Sequence, residues 1–259
     1  MPVSMADLAD DLAAESAVLR ALLVPLDEAG WRQATPAAGW SILDQVTHLA
    51  HFDDVAVQSA VDPEAFRAGQ AVPDPDGVAA SYRGRTGAEV LVWFDDARAR
   101  LIAAFRPLDP ALRVPWYGPP MSAASSLTAR IMETWAHGQD VADTVGVRRE
   151  PTARLRHVAH IGIGARAYSY LVNDLQPPTT PIRVELAAPD GGTWSWGPAN
   201  AENRVTGPAL DFCLAVTQRR HPAEVALEVT GPVAKEWMGV AQAYAGAAGT
   251  GRARMEQPS

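Results

Sequence analysis

The chain has 259 residues, 47% hydrophobic and 20% charged, which describes a soluble globular protein of one large domain or two ordinary ones. A formal net charge of −8, with no run of Lys or Arg, argues against a nucleic-acid partner. No apolar run reaches the length of a bilayer span, the N-terminus lacks a signal-peptide pattern, and a single cysteine, Cys213, excludes an intramolecular disulfide and fits a reducing cytoplasm.

The first half reads as four helices. Ser4 or Asp7 can cap the first, and Leu8, Leu12, Leu19, Leu22, Leu23 and Leu26 form its apolar stripe until Gly30. Ser41 caps the second, with Asp44 in the first turn and Leu43, Val46, Leu49 and Phe52 facing inward. Asp62-Pro63 opens a long connection marked by Pro and Gly, with some short helix, up to Gly87. The third helix runs near 87–106, with Val90, Phe94, Ala97, Leu101 and Phe105 at helical spacing. After the Pro-rich stretch from Pro107 to Pro120, the fourth runs from Ser122 to about Val145, and Gly146 ends it. Four amphipathic helices with long crossovers make a four-helix bundle.

The second half follows another pattern. One helix is expected from Thr152 to Leu175, bounded by Pro151 and Pro177. Ile182 to Ala187 alternates as a strand, Pro189-Asp190-Gly191-Gly192 turns, and Thr193 to Trp196 returns as the hairpin partner. Val205 to Pro208 leads into a helix ending near Gln218, Glu224 to Thr230 reads as a strand, and Val233 to Tyr244 as the last helix. The tail from Gly246 is expected to be mobile. The expected class is therefore α+β, with a helical bundle over 1–150 and a linking helix plus small α+β domain over 151–259.

The chemistry-bearing residues lie on the second and fourth helices. Glu133 and His137 are one turn apart, so both project from one face about 6 Å apart along the axis. With a histidine from a neighbouring helix, His48, they would make a His₂Glu set with open coordination positions, a catalytic rather than a closed structural zinc arrangement. The same spacing also arises by chance, and Ser126, Arg130, Glu133, His137 and Asp140 could equally form a solvated stripe. His51 is an alternative to His48. Asp44 and Asp140, each one turn from a histidine, are candidates to orient the imidazoles, although capping explains Asp44 as well. His157 and His160 form an H-x-x-H better read as packing than as a second metal site. Gly162-x-Gly164 lacks the strand and third glycine of a dinucleotide fingerprint. Trp194 and Trp196 share a hairpin face and read as core, and Cys213 reads as a small buried hydrophobe.

The string from Gly39-Trp40-Ser41 to His48-Leu49, with Glu133-Thr134-Trp135-Ala136-His137-Gly138-Gln139-Asp140-Val141, resembles the DinB-like metal-binding bundles. Within these it is most similar to the mycothiol-dependent maleylpyruvate isomerase family. The resemblance implies a DinB-like four-helix bundle followed by a small sterol-carrier-like α+β domain. It implies metal ligands His48, Glu133 and His137, with Zn²⁺ the expected metal and Ni²⁺, Co²⁺ or Mn²⁺ also suited to imidazole and carboxylate. It further implies mycothiol as a thiol co-substrate, since the chain offers no cysteine nucleophile of its own.

The segment Gly207 to His221 resembles the family's helix that ends in a functional arginine, and the matching position is Arg219. Arg219 would bind a substrate carboxylate where the bundle's open end meets the second domain; the alternative is that Arg219 and Arg220 simply favour a helix C-terminus. The implied activity is metal-dependent isomerisation of an unsaturated, carboxylate-bearing small molecule, or addition of the thiol to it as an S-transferase. Two other readings stand beside it: a thiol-independent Lewis-acid enzyme of specialised metabolism, and a non-catalytic carrier of a small apolar molecule. The 61–87 connection and the Gln218-Arg219-Arg220 ending depart from the family and leave the substrate open. Amphipathic faces on the bundle could serve a homodimer or the interface between domains.

Overall fold

A computed structural model describes residues 4–69 and 71–254. The chain divides into two compact units, Met1–Arg149 and Glu150–Ser259. Among the described residues no helix is long and apolar enough to cross a membrane.

The first unit is built on four long helices: α1 (Met5–Leu23), α3 (Ile42–Val61), α6 (Gly87–Phe105) and α7 (Ala123–Thr144). Their starts are fixed by side chains that satisfy backbone N–H groups left without helical partners. Ser4 caps α1, Ser41 and Asp44 form a capping box on α3, Thr86 and Glu89 form another on α6, and Ser122 caps α7. Short helices fill the connections: α2 (Glu28–Trp31), α4 (Pro63–Ala68) and α5 (Pro75–Ser81), all capped by aspartates. The paired β1 (Arg113–Val114) and β2 (Met121–Ser122), which sequence periodicity does not reveal, close the loop before α7.

Two apolar clusters record the helix directions. One joins Leu19 and Leu23 to Ile42, Val46 and Leu49, to Val90 and Phe94, and to Val141. The other joins Leu8 and Leu12 to Ala56, to Leu101 and Phe105, and to Leu127 and Ile131. The starts of α3 and α6 therefore meet the ends of α1 and α7. Parallel α3 and α6 require the long 62–86 crossover that carries α4 and α5. Gly87 is needed where α6 starts, because a Cβ there would lie 2.3 Å from the Trp31 ring.

Between the two clusters lies a charged layer. Asp53, fully buried, accepts from Arg98 Nε at 2.7 Å and from Arg130 Nε at 2.9 Å. Arg98 Nη1 also donates to Ser16 Oγ (2.6 Å) and Thr134 Oγ1 (2.9 Å), and Arg130 Nη2 donates to Leu49 O (3.2 Å). One carboxylate thus ties α3 to α6 and α7, and Arg98 extends the tie to α1. The polar stripe on α7 is buried here rather than solvated: Ser126, Arg130, His137 and Asp140 are all buried.

The second unit holds a four-stranded sheet in the order β4-β3-β5-β6, built from β3 (Ile182–Ala187), β4 (Thr193–Trp196), β5 (Asn203–Pro208) and β6 (Glu228–Thr230). Strands β3 and β5 are parallel and the other pairs antiparallel. The single helix expected over 152–175 is instead two, α8 (Leu155–Gly164) and α9 (Arg166–Leu171), broken at Gly164-Ala165 where Ala165 leaves helical geometry with ψ near 1°. The stretch expected only to lead into a helix is strand β5, whose inward Val205 lies beside Val184 of β3; α10 (Ala209–Val216) follows it.

Only Glu228–Thr230 of the expected 224–230 strand pairs with the sheet, because Pro222–Glu224 forms a 3₁₀ turn. The last helix, α11 (Pro232–Val240), stops short of Tyr244. Beyond it Gly246, Gly249 and Gly251 donate to Tyr168, Gln242 and Gln218, so the tail up to Gly251 is anchored by hydrogen bonds and not free. Residues 255–259 lie outside the described part. Trp194 and Trp196 are half-buried rather than core.

Removing one member of a buried ion network leaves the others desolvated without compensation, at a cost of about 3–5 kcal/mol. Asp53→Ala is expected to lower the unfolding free energy by about that amount in urea denaturation. An effect below about 1 kcal/mol would mean that the layer contributes little.

Candidate metal centre

His48 lies in the second turn of α3, and Glu133 and His137 lie one turn apart on α7. The pairing of these helices brings the three side chains together, with one ligand atom from each lying within 4.8 Å of the others. They are the one cluster of three or more His, Cys, Asp or Glu side chains with metal-ligand proximity among the described residues. Glu133 Oε2 is 3.2 Å from His137 Nε2 and 3.8 Å from His48 Nε2. Tetrahedral ligation with bonds of about 2.0–2.2 Å separates donor atoms by about 3.3–3.6 Å, close to the His137 gap and a little under the His48 gap.

The site is largely buried. The side chains of His48, Glu133 and His137 are 12, 19 and 10% exposed. Trp40 stacks on the His137 ring (centroids 5.8 Å apart, planes at 18°) and also packs on His48 at 5.3 Å. Phe52, one turn after His48, packs on its ring with centroids 4.7 Å apart. His48 Nδ1 is buried with no hydrogen-bond partner, whereas His137 Nδ1 is hydrogen-bonded to Gln45 Oε1.

The electrostatics favour a cation. Burial, with the neighbouring His137 next, pushes the His48 pKa down from 6.5 to about 4, so this imidazole is neutral and a competent ligand near pH 7. Burial alone would raise the Glu133 carboxyl, but the hydrogen bond with His137 and the nearby His48 imidazole outweigh it and hold the group well below its ordinary value. An anion and two imidazoles in a desolvated layer form a donor set with the composition of an open catalytic zinc site.

Other candidates fall elsewhere. His51 turns to Tyr82, with Nδ1 3.1 Å from the hydroxyl, and is outside the cluster. Asp44 does not orient an imidazole: it completes the α3 capping box and accepts from Arg83 Nε at 2.9 Å. Asp140 is fully buried on α7. His157 is half-buried and His160 exposed on α8, outside any such cluster among the described residues. Cys213 is buried on α10 and burial pushes its thiol far up, so it is no nucleophile.

Arg219 lies in the second unit just beyond α10, after Gln218 in the left-handed region (φ 57°), and its Nη1 donates to Thr217 O at 2.7 Å. Gln45, Trp40 and Asp53 carry no role that the sequence alone reveals. The sequence shows for Gln45 only an amide three residues before His48, on the same helical face.

Residues 12–142 match the family model of the mycothiol maleylpyruvate isomerase N-terminal domain. The chain belongs to this family. Two curated sequences of an uncharacterised protein from two strains of Mycobacterium tuberculosis are each 45% identical over 248 residues, covering 93% of this chain and 96% of theirs. Two crystal structures of the mycothiol-dependent maleylpyruvate isomerase share the fold. One, a histidine-to-alanine mutant, has a TM-score of 0.60 at 15% identity and covers 87% of this chain and 93% of its own. The other has a TM-score of 0.59 at 16% identity, with coverage of 84% and 90%. Outside the family domain, residues 178–230 match a model described as wyosine base formation.

For metal-free protein the acid response has a definite sign. Because the folded pKa of His48 is depressed, the unfolded chain binds a proton that the folded chain refuses, and Glu133 acts in the same direction at lower pH. Stability should be fully present above pH 6.5 and decline as pH falls towards about 4, with His48 accounting for on the order of 3 kcal/mol. Chemical denaturation of chelator-treated protein at pH 7 and 4.5 measures it, and His48→Gln should flatten the slope in that window. An equal slope in both proteins would contradict the assignment.

Proposed function

We propose that this protein is a metal-dependent enzyme that uses a low-molecular-weight thiol, mycothiol, to isomerise or add to an unsaturated, carboxylate-bearing small molecule. The observation that carries the proposal is the convergence of His48, Glu133 and His137, all within 4.8 Å and facing one another in a desolvated layer. The family to which the chain belongs supports the thiol. A divalent ion in this site, Zn²⁺ by preference, would lower the pKa of a bound thiol or water and leave positions open for it.

The chain's own residues have separable roles in this reading. Glu133 supplies the negative charge that a cation needs, and His48 is held neutral by burial. Trp40 and Phe52 keep water from the flanks of the imidazoles. Since the one cysteine is inert, the nucleophilic sulfur must come from outside. In isomerisation that sulfur adds to one carbon of an activated double bond, and the remaining single bond rotates. Loss of the sulfur then restores the double bond in the new geometry and regenerates the thiol. In transfer, a proton is added to the neighbouring carbon and the thioether is the product.

Arg219 is assigned to a substrate carboxylate, a task its planar two-pronged donor suits. Reduced thiol and a lone reduced cysteine both accord with a cytoplasmic setting.

Turnover of maleylpyruvate or a related unsaturated keto acid by metal-loaded protein should require mycothiol. Unchanged total thiol would indicate isomerisation, and its consumption would indicate transfer. Arg219→Ala should raise KM tenfold or more with a smaller effect on kcat. Turnover of an unsaturated acid without thiol would instead favour the Lewis-acid reading.

A further inference from the structure

We propose that Gln45, held by Thr35 and the carbonyl of Trp40, is a positioning residue that keeps the proton of His137 on Nδ1 and so presents Nε2, and only Nε2, to the metal. This inference rests on the metal reading above but concerns a different set of atoms.

The polarity of the chain of hydrogen bonds follows from its fixed end. A backbone carbonyl can only accept. Trp40 O accepts from Thr35 N–H at 2.7 Å and from the Thr35 hydroxyl at 2.9 Å. With its one proton committed to Trp40 O, Thr35 Oγ1 has lone pairs left for Gln45 Nε2, which donates to it at 2.8 Å. The amide nitrogen of Gln45 therefore faces Thr35, and its oxygen faces His137 Nδ1. An amide oxygen can only accept, so Nδ1 carries a proton, while Nε2 faces Glu133 Oε2 at 3.2 Å and is left for that carboxylate or for the metal. Reversing the amide would turn the Thr35 hydroxyl away from Trp40 O and lose one hydrogen bond in a layer where Gln45 is fully buried.

The same loop holds the ring plane. The backbone from Ala34 to Ser41 closes on itself through the Ala34–Ser41 bridge, the Trp40 N–H to Ala37 O bond and Gly39 in the left-handed region (φ 79°). It delivers the Trp40 indole against His137, and the indole Nε1–H is anchored by Asp76 Oδ1 at 2.7 Å, on α5 of the crossover. One loop thus supplies a face for the imidazole and, through Thr35 and Gln45, an acceptor for its outer nitrogen. His48, whose Nδ1 lacks such a partner, has no equivalent restraint on its proton. An imidazole that donates its outer N–H to a fixed acceptor is oriented and made a better donor to metal, and removing that acceptor commonly costs 10–100-fold in affinity.

Long-range ¹H–¹⁵N spectra should find Nδ1 of His137 protonated in both zinc-loaded and metal-free protein. Gln45→Met, which keeps side-chain length but not the acceptor, should weaken zinc binding about 10–100-fold in a chelator competition and speed exchange of that proton. Thr35→Val should weaken zinc binding in the same direction, and Thr35→Ser, which keeps the hydroxyl, should restore affinity to within about threefold of wild type. An unprotonated Nδ1, ligation through Nδ1, or Gln45→Met binding zinc as tightly as wild type would overturn the proposal. Should Gln45→Met fail to fold, the Thr35 pair decides the affinity arm, with equal affinities for valine and serine counting against the relay. Failure of the wild type to take up zinc would remove the metal reading alone, and the Nδ1 proton of the metal-free protein would still decide the relay.

Discussion

The first unit depends on one buried carboxylate. Asp53 sits at the centre of the helical layer and receives both Arg98 and Arg130. A charge taken out of water must be matched closely or the fold loses several kcal/mol, so this contact allows little rotation or sliding of the helices. Arg130 lies three residues before Glu133 and seven before His137 on the same helix. Fixing Arg130 against α3 therefore fixes the rotation of α7 and turns Glu133 and His137 towards His48, five residues before Asp53 on α3. The apolar clusters on either side supply most of the favourable burial, but apolar contacts tolerate small shifts that the ion network does not.

That arrangement explains why the polar stripe of α7 is ambiguous in sequence. Ser126, Arg130, Glu133, His137 and Asp140 have the spacing of a solvated face, yet Ser126, Arg130, His137 and Asp140 are buried, and Arg130 finds its partner, Asp53, on another helix. A single chain read alone does not reveal such partners, since Asp53 and Arg130 are 77 residues apart. The long helices were legible because caps and apolar spacing act locally: Ser41 with Asp44 and Thr86 with Glu89 mark their starts within four residues. The candidate ligands were legible for the same reason on α7, and on α3 through likeness to a family. Gln45 was not, because an amide among inward apolar residues has no meaning until its two neighbours, Thr35 and His137, are placed.

The second unit was harder to read. Strand β5 ends in Gly207-Pro208, a sequence that suggests a turn, and it is the parallel pairing with β3 that makes it a strand. The break between α8 and α9 leaves no proline behind as a marker. Gly231 (φ 86°) tightens the turn into α11, where Asn203 Oδ1 of β5 accepts from Val233 N and Ala234 N; a cap supplied by a distant strand is invisible to local patterns.

The proposed chemistry requires that His48, Glu133 and His137 hold one divalent ion. Elemental analysis of wild type, His137→Ala and Glu133→Gln, each purified without chelator, tests it most directly. About one equivalent of metal is expected in wild type and well under a tenth of that in either variant, with far-ultraviolet circular dichroism unchanged. Wild type that neither contains metal nor binds it on titration would rule out this site, as would variants that retain a full equivalent.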